Sequence, residues 1–241
     1  MAKGVFITAT DTGVGKTVAA AAIVCALKRR GLRVGAMKPL ETGCAIKNGI
    51  LQPADGTFLK EVSGMNDSLD WVTPLRFEAP LAPYIAAQKE GVPVEIDKLL
   101  STYRELSGRY DVMVVEGIGG VLVPLARRKT STGSHTYFVI DLIKELQLPA
   151  VVVARMSLGT INHTLLTISQ LLNEDVEVKG VIINFNTPPD GSMAERSNPQ
   201  ALRELCPVPI IGIIPYLQNI SVESIEAEAA GCIELEALRL Y

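Results

Sequence analysis

The sequence predicts an α/β fold, a mainly parallel β-sheet with helices on both faces, and three observations carry that prediction. The apolar runs at 5–8, 111–116, 150–154, 180–184 and 210–214 are continuous rather than alternating, as in strands buried on both faces. Segments of helical composition or period separate them, which is the pattern of repeated strand–helix–strand units. The first strand also runs straight into a Thr- and Gly-rich turn, then Lys16-Thr17, then an Ala-rich stretch that reads only as a helix. With 241 residues the chain can bury a large core. No linker, charge block, low-complexity tract or internal repeat divides it, so a single domain spanning 1–241 is expected.

In order, the strand at 5–8 is β-branched and aromatic, and the helix at 18–27 ends in the basic turn Lys28-Arg29-Arg30 with Gly31 as its stop. A second strand is expected at 33–37. It leads into the loop Lys38-Pro39-Leu40-Glu41-Thr42-Gly43 at a carboxyl end of the sheet. Residues 55–62 read as a short helix and 95–106 as an amphipathic one. The strand at 111–116, DVMVVE, closes on a carboxylate and the run Gly117-Ile118-Gly119-Gly120. The polar stretch 127–136, which contains His135, is expected to be loop. Helices at 137–146 and 160–172 and strands at 150–154, 180–184 and 210–214 complete the pattern.

The stretch VFITATDTGVGKT at 5–17 is a phosphate-binding loop. Gly13 and Gly15 free backbone N–H groups to point inward, and the helix that follows offers the positive end of its dipole. Lys16 can reach β- and γ-phosphates, and the Thr17 hydroxyl can ligate Mg²⁺. The strict G-x-x-x-x-G-K-[ST] pattern is not met, because Thr10 stands five before Gly15.

In a parallel sheet, chemistry gathers at the carboxyl ends of the strands. Glu116 ends an apolar strand, where an unpaired carboxylate is costly, so it is either a metal ligand or half of a structural ion pair. Asp55 reads equally as a second Mg²⁺ ligand or as a solvated helix cap. Lys38 either faces transferred phosphate oxygens or is solvated. The segment Leu158-Gly159-Thr160-Ile161-Asn162-His163 enters a helix whose N–H groups either bind an anion or form an ordinary helix start. His163 reads as a helix residue with a local hydrogen bond rather than as a base.

Several classes are excluded. A net charge of −3 leaves no electrostatic footprint for nucleic acid or an anionic membrane. The four cysteines, Cys25, Cys44, Cys206 and Cys232, have no metal-ligand spacing and read as reduced thiols of a cytoplasmic protein. No apolar run reaches bilayer length, and the N-terminus runs directly into the first strand. There is no G-x-S-x-G elbow, H-E-x-x-H or dinucleotide-binding G-x-G-x-x-G. With no covalent nucleophile evident, phosphoryl transfer by positioning and charge neutralisation is the expected chemistry.

Taken together, TATDTGVGKT at 8–17, Lys38-Pro39 with Thr42-Gly43, VEGIGG at 115–120 and LGTINH at 158–163 resemble the dethiobiotin synthetase family. Asn184 followed by Thr187-Pro188-Pro189, and Ile214-Pro215-Tyr216, extend the resemblance in the same order over nearly the whole chain. It implies a P-loop NTPase fold and a homodimeric, Mg²⁺- and ATP-dependent enzyme acting on 7,8-diaminononanoate and CO₂, with an active site at the subunit interface. It assigns catalysis to Lys16, Lys38 and Thr12, and ATP binding to Asp11, Thr12, Gly13, Val14, Gly15, Lys16 and Thr17. Asn184, Pro215 and Tyr216 would line the base pocket, and Thr17, Asp55 and Glu116 would hold the metal. Substrate contacts would come from Lys38, Thr42, Gly117, Gly159, Thr160 and Asn162. Ser157 stands where some members carry Lys and Arg196 where some place a substrate-facing Tyr, so neither role is carried over. A related amidoligase usually needs an ammonia-supplying domain, which this chain lacks. A regulatory ATPase of the deviant Walker type would carry its signature lysine where Asp11 stands.

Overall fold

The strand β1 (Lys3–Ala9) is buried at every position after Lys3, which places it at the centre of a sheet rather than at its edge. The computed structural model describes residues 3–130 and 133–240. After β1 come α1 (Lys16–Arg29), β2 (Val34–Met37), β3 (Leu40–Thr42), the hairpin of β4 (Ala45–Lys47) and β5 (Ile50–Gln52), and α2 (Ala54–Ser63). Then follow α3 (Leu69–Val72), β6 (Leu75–Phe77), α4 (Pro83–Glu90), α5 (Ile96–Ser107) and β7 (Val112–Glu116). The antiparallel pair β8 (Pro124–Thr130) and β9 (Gly133–Phe138) precedes α6 (Val139–Leu146) and β10 (Ala150–Arg155). The remaining major elements are α7 (Thr160–Asn173), β11 (Val178–Asn184), α8 (Met193–Leu205) and β12 (Ile210–Ile214). A segment of short π and 3₁₀ turns closes the chain.

The central sheet has six parallel strands in the order β12-β11-β10-β1-β7-β2. From β1 the chain moves out to β2, returns to β7 beside β1, and then crosses over β1 to β10 and outward to β12. The strand order therefore reverses at β1, and the crevice outside its carboxyl end is where such folds bind ligands. Right-handed crossovers put α1 on one face and α5, α6, α7 and α8 on the other. The helix α1 is buried all round from Val18 to Leu27, as expected of a helix that packs against the sheet on one side and is covered on the other. Its cover is α2 and the C-terminal turns. The fold is thus the α/β architecture the sequence predicts. Among the described residues no helix is long and apolar enough to cross a membrane.

Several elements differ from expectation. The stretch 127–136 is the β8–β9 ladder instead of loop, with Arg128 opposite His135 and Arg127 opposite Thr136; residues 131 and 132 lie outside the described residues. Its polar sequence gives no alternating signal, and Arg128 holds it in place by lying over the Tyr137 ring and pairing with Glu145. The following helix starts at Val139, two residues later than expected, because Tyr137 and Phe138 finish β9. Within the expected loop 38–43, Leu40–Thr42 pairs in parallel with Leu75–Phe77.

Candidate active site

The turn between β1 and α1 is shaped by its glycines. Gly15 is the N-cap of α1 at φ 96° and Gly13 sits at φ 73°, conformations that only glycine adopts readily. A Cβ at Gly15 would also collide with Asn184 Nδ2. The first helical bond runs from Ala19 N to Gly15 O, so the N–H groups of Lys16, Thr17 and Val18 have no helical partner. A side-chain cap is absent as well, which leaves these donors for an anion. Asn184 Nδ2 donates to Val14 O at 2.9 Å and Asn186 Nδ2 to Gly13 O at 2.9 Å, so the end of β11 buttresses the loop from behind.

Opposite the loop, β7 delivers Glu116 and the end of β2 delivers Lys38. Lys38 Nζ donates to Glu116 Oε1 at 2.6 Å and to Asp55 Oδ2, on the first turn of α2, at 2.9 Å. Thr17 Oγ1 donates to the same Glu116 oxygen at 3.0 Å, and Lys16 Nζ lies 3.4 Å from Asp11 O. These groups line a cleft of about 550 Å³ together with Thr12, Gly13, Gly15, Thr42, Phe58, Ile118 and Gly119. It opens at the point where the strand order reverses.

Burial, with the Lys38 ammonium nearby, pulls the Lys16 pKa down to about 8. Burial also disfavours the charge on Lys38, but Glu116 and Asp55 outweigh it and hold its pKa above the ordinary lysine value. Asp55 is held low: its partial burial works the other way, and Lys38 overcomes it. Burial raises the Glu116 carboxyl, with Lys38 opposing. We take Lys38 and Glu116 as an ion pair, because Lys38 has a second carboxylate and Glu116 a second donor.

The donor set fits Mg²⁺. Among the described residues Glu116 Oε2 is buried with no partner; the Thr17 hydroxyl bonds the other oxygen of that carboxylate and Asp55 shares Lys38 with it, all hard oxygen ligands. Among the described residues no three His, Cys, Asp or Glu side chains gather into a metal cage. Two carboxylates and a hydroxyl are the smaller set that Mg²⁺ uses when phosphates and waters complete its octahedron.

The other predicted residues fall in distinct places. Thr42 lines the cleft, and Asp11 is exposed, bonding its own Thr12 N–H at 2.7 Å and facing Arg155 at 3.8 Å. Gly117 turns into the sheet, where its N–H donates to Ile7 O and a Cβ would strike the Phe6 ring. Pro215 and Tyr216 follow β12, whose Ile214 is in register with Asn184, and Tyr216 shares a shallow depression with Pro188. Gly159 and Asn162 are exposed at the start of α7 and do not line the cleft of their own chain; Thr160 is buried there. Sequence reasoning missed Asn186 and Glu41. Asn186 repeats Asn184 at the two-residue spacing of a strand end, which was a usable signal. Glu41 gave none, because its partners come from another element.

An AAA domain profile matches residues 3–224. The chain is 48% identical to the ATP-dependent dethiobiotin synthetase BioD of Thermodesulfovibrio yellowstonii, over 99% of both chains. It is 38% identical to the Bacillus subtilis protein of that name, over 92% of this chain and 91% of that one. The Methanocaldococcus jannaschii protein of the same name is 37% identical over 91% and 97%. Among solved structures, the cell division ATPase MinD of Pyrococcus furiosus superposes with a TM-score of 0.58 at 15% identity, covering 100% of this chain and 98% of that one. MinD from Pyrococcus horikoshii with Mg-ADP gives 0.57 at 16% identity, covering 100% and 94%. At such identities the two superpositions speak for the fold alone.

Proposed function

Because the chain belongs to the ATP-dependent dethiobiotin synthetase family, we propose that its cleft catalyses the Mg²⁺-dependent carboxylation and ring closure of 7,8-diaminononanoate to dethiobiotin. One observation carries the reading beyond the family. Two lysines, two carboxylates and a threonine hydroxyl from four separate elements converge on a phosphate-binding helix start. A scaffold that merely held a nucleotide would not need this convergence.

In the proposed reaction one substrate amine takes up CO₂ and loses a proton, giving a carbamate. A carbamate oxygen attacks the γ-phosphorus of ATP and ADP leaves, forming a carbamic–phosphoric anhydride. The second amine attacks the carbonyl carbon and gives up a proton, phosphate departs with the bonding pair, and the ureido ring closes. Nothing here requires a protein nucleophile; the protein positions the reactants and neutralises charge. Lys16 and the free N–H groups of Lys16, Thr17 and Val18 hold the β- and γ-phosphates, with Thr12 at the mouth. Lys38, on the other wall, faces the carbamate. Mg²⁺, held by Thr17, Asp55 and Glu116, supplies neutralising charge to the phosphate oxygens. Asn184, Pro215 and Tyr216 border the base, and Thr42 the diamine.

The reading includes a second copy of the chain. Leu158, just before α7, and Leu166, on it, are exposed at 89% and 61%, in the same stretch of chain as the exposed Asn162. Large apolar side chains left exposed along one stretch of chain are consistent with a contact site. A homodimer across this face would bring Gly159, Thr160 and Asn162 to the partner's cleft. The reading also treats the chain as one domain, places it in the cytoplasm, and requires no nucleic-acid or membrane partner.

The deciding experiment incubates the protein with ATP, Mg²⁺, bicarbonate and the diamine, and follows ADP and the cyclic urea by mass. ADP release without cyclic urea, at any diamine concentration, would sink the proposal.

A further inference from the structure

The helix α2 begins without a cap of its own. Its N-cap is Pro53, which has no side-chain oxygen, and no side-chain cap bond is made there. The open N–H groups of its first turn are taken instead by a residue of β3. Glu41 Oε1 accepts from Asp55 N at 3.1 Å, and Oε2 accepts from Gly56 N at 3.0 Å. Glu41 is 6% exposed, so this carboxylate has exchanged water for two backbone donors and the positive end of a helix.

The approach is close. A Cβ on Gly56 would collide with Thr73 Oγ1, so glycine lets the start of α2 lie against the chain beside β6. Glu41 therefore fixes the backbone of the residue whose side chain enters the cleft. Asp55 presents Oδ2 to Lys38 at 2.9 Å while its own N–H is pinned from behind. Both Glu41 oxygens are thus turned to the backbone of α2, while the Asp55 carboxylate is turned to Lys38.

We propose that Glu41 is the positioning residue for Asp55: by capping α2 from β3 it sets where the Asp55 carboxylate stands in the cleft. The inference rests on the reading of Asp55 as a metal ligand. Partners that orient a ligand typically change metal affinity by about 10- to 100-fold when removed.

The test is a double-mutant cycle read by Mn²⁺ binding to the ADP complex, using electron paramagnetic resonance of the free ion. It uses Asp55→Asn, Glu41→Ala, the conservative Glu41→Gln, and each Glu41 variant combined with Asp55→Asn. Glu41→Ala is expected to weaken Mn²⁺ binding roughly 10-fold, and Glu41→Gln, which keeps one acceptor oxygen, by less. ADP affinity without metal should stay within about twofold for both, since the phosphate loop is untouched. In the Asp55→Asn background neither Glu41 change should have a further effect. A purely structural cap would leave Mn²⁺ affinity unchanged in the folded fraction, or would add its full effect to that of Asp55→Asn; either result overturns the proposal while the metal site stands. If Asp55→Asn alone leaves Mn²⁺ binding unaltered, the metal reading of Asp55 fails and the inference falls with it. Should Glu41→Ala not fold, the cycle with Glu41→Gln decides by the same criteria.

Discussion

Lys38 and Glu116 form an enclosed ion pair, Nζ to Oε1 at 2.6 Å, with side-chain exposures of 3% and 1%. Such a pair is not by itself a stability device, since desolvating two ions costs about as much as their attraction returns. Breaking it from one side is different, because the remaining charge stays buried. Lys38→Met should therefore destabilise the fold by about 3 kcal/mol, measured by urea unfolding. Adding Glu116→Gln to Lys38→Met should recover part of that loss, as the stranded carboxylate is removed. A double variant as unstable as the single one would show that charge is not what the pair contributes.

Lys16 occupies the other wall, 7% exposed, where burial works against its charge. An ammonium held in such a place earns its position only when an anion arrives. Lys16→Ala should keep the fold and remove most of the ADP-forming activity, a loss of roughly 10²–10³-fold or more. Near-normal turnover in a folded Lys16→Ala protein would refute the assignment of the phosphate loop.

The carboxylates predict a metal dependence. Glu116 keeps one buried oxygen without a partner among the described residues, and Asp55 lines the cleft with its side chain 40% exposed. Asp55→Asn and Glu116→Gln should each raise the Mg²⁺ concentration for half-maximal activity by about tenfold or more. Chelation should abolish turnover in the unaltered protein. If neither substitution moves the Mg²⁺ curve, both carboxylates serve only the ion pair with Lys38.

What could be read from the sequence follows from where its signals are local. The sheet was legible because strands buried on both faces are continuous apolar runs, as in 112–115 and 150–154. Glu116 and Lys38 were legible because each ends or follows such a run. The β8–β9 ladder was not, because its pairs are polar and exposed; nor was the pair β3–β6, each strand only three residues long. The helix α8 was also missed. Pro199 lies inside it, yet Ser192 caps Glu195 N at 3.3 Å, and that S-x-x-E spacing was present in the sequence. Glu41 was out of reach for a different reason: a carboxylate that caps a helix 14 residues downstream leaves no spacing rule to find it.

The start of α7 carries the last prediction. The far end of the diamine is a carboxylate, and in the proposed reaction the cleft's own donors serve the phosphates and the carbamate. Gly159 at φ 89° begins a helix 14 residues long, and Asn162 is exposed on its first turn, outside the cleft of the same chain. If the partner subunit's cleft receives this helix start, each site is built from two chains. Asn162→Ala should then raise the diamine KM with little change in ATP binding, because the lost contact is remote from the phosphates. Asn162→Asp should do so more strongly, by placing a negative charge beside the substrate's own. Mixing Lys16→Ala subunits with Asn162→Asp subunits separates the two geometries. In a mixed dimer one site combines both defects and the other combines neither, so random exchange should restore about a quarter of the activity of the unaltered enzyme. Two sites each contained within a single chain would give no recovery once subunit exchange has been verified by mass, and that outcome would move the tail-binding donors off α7.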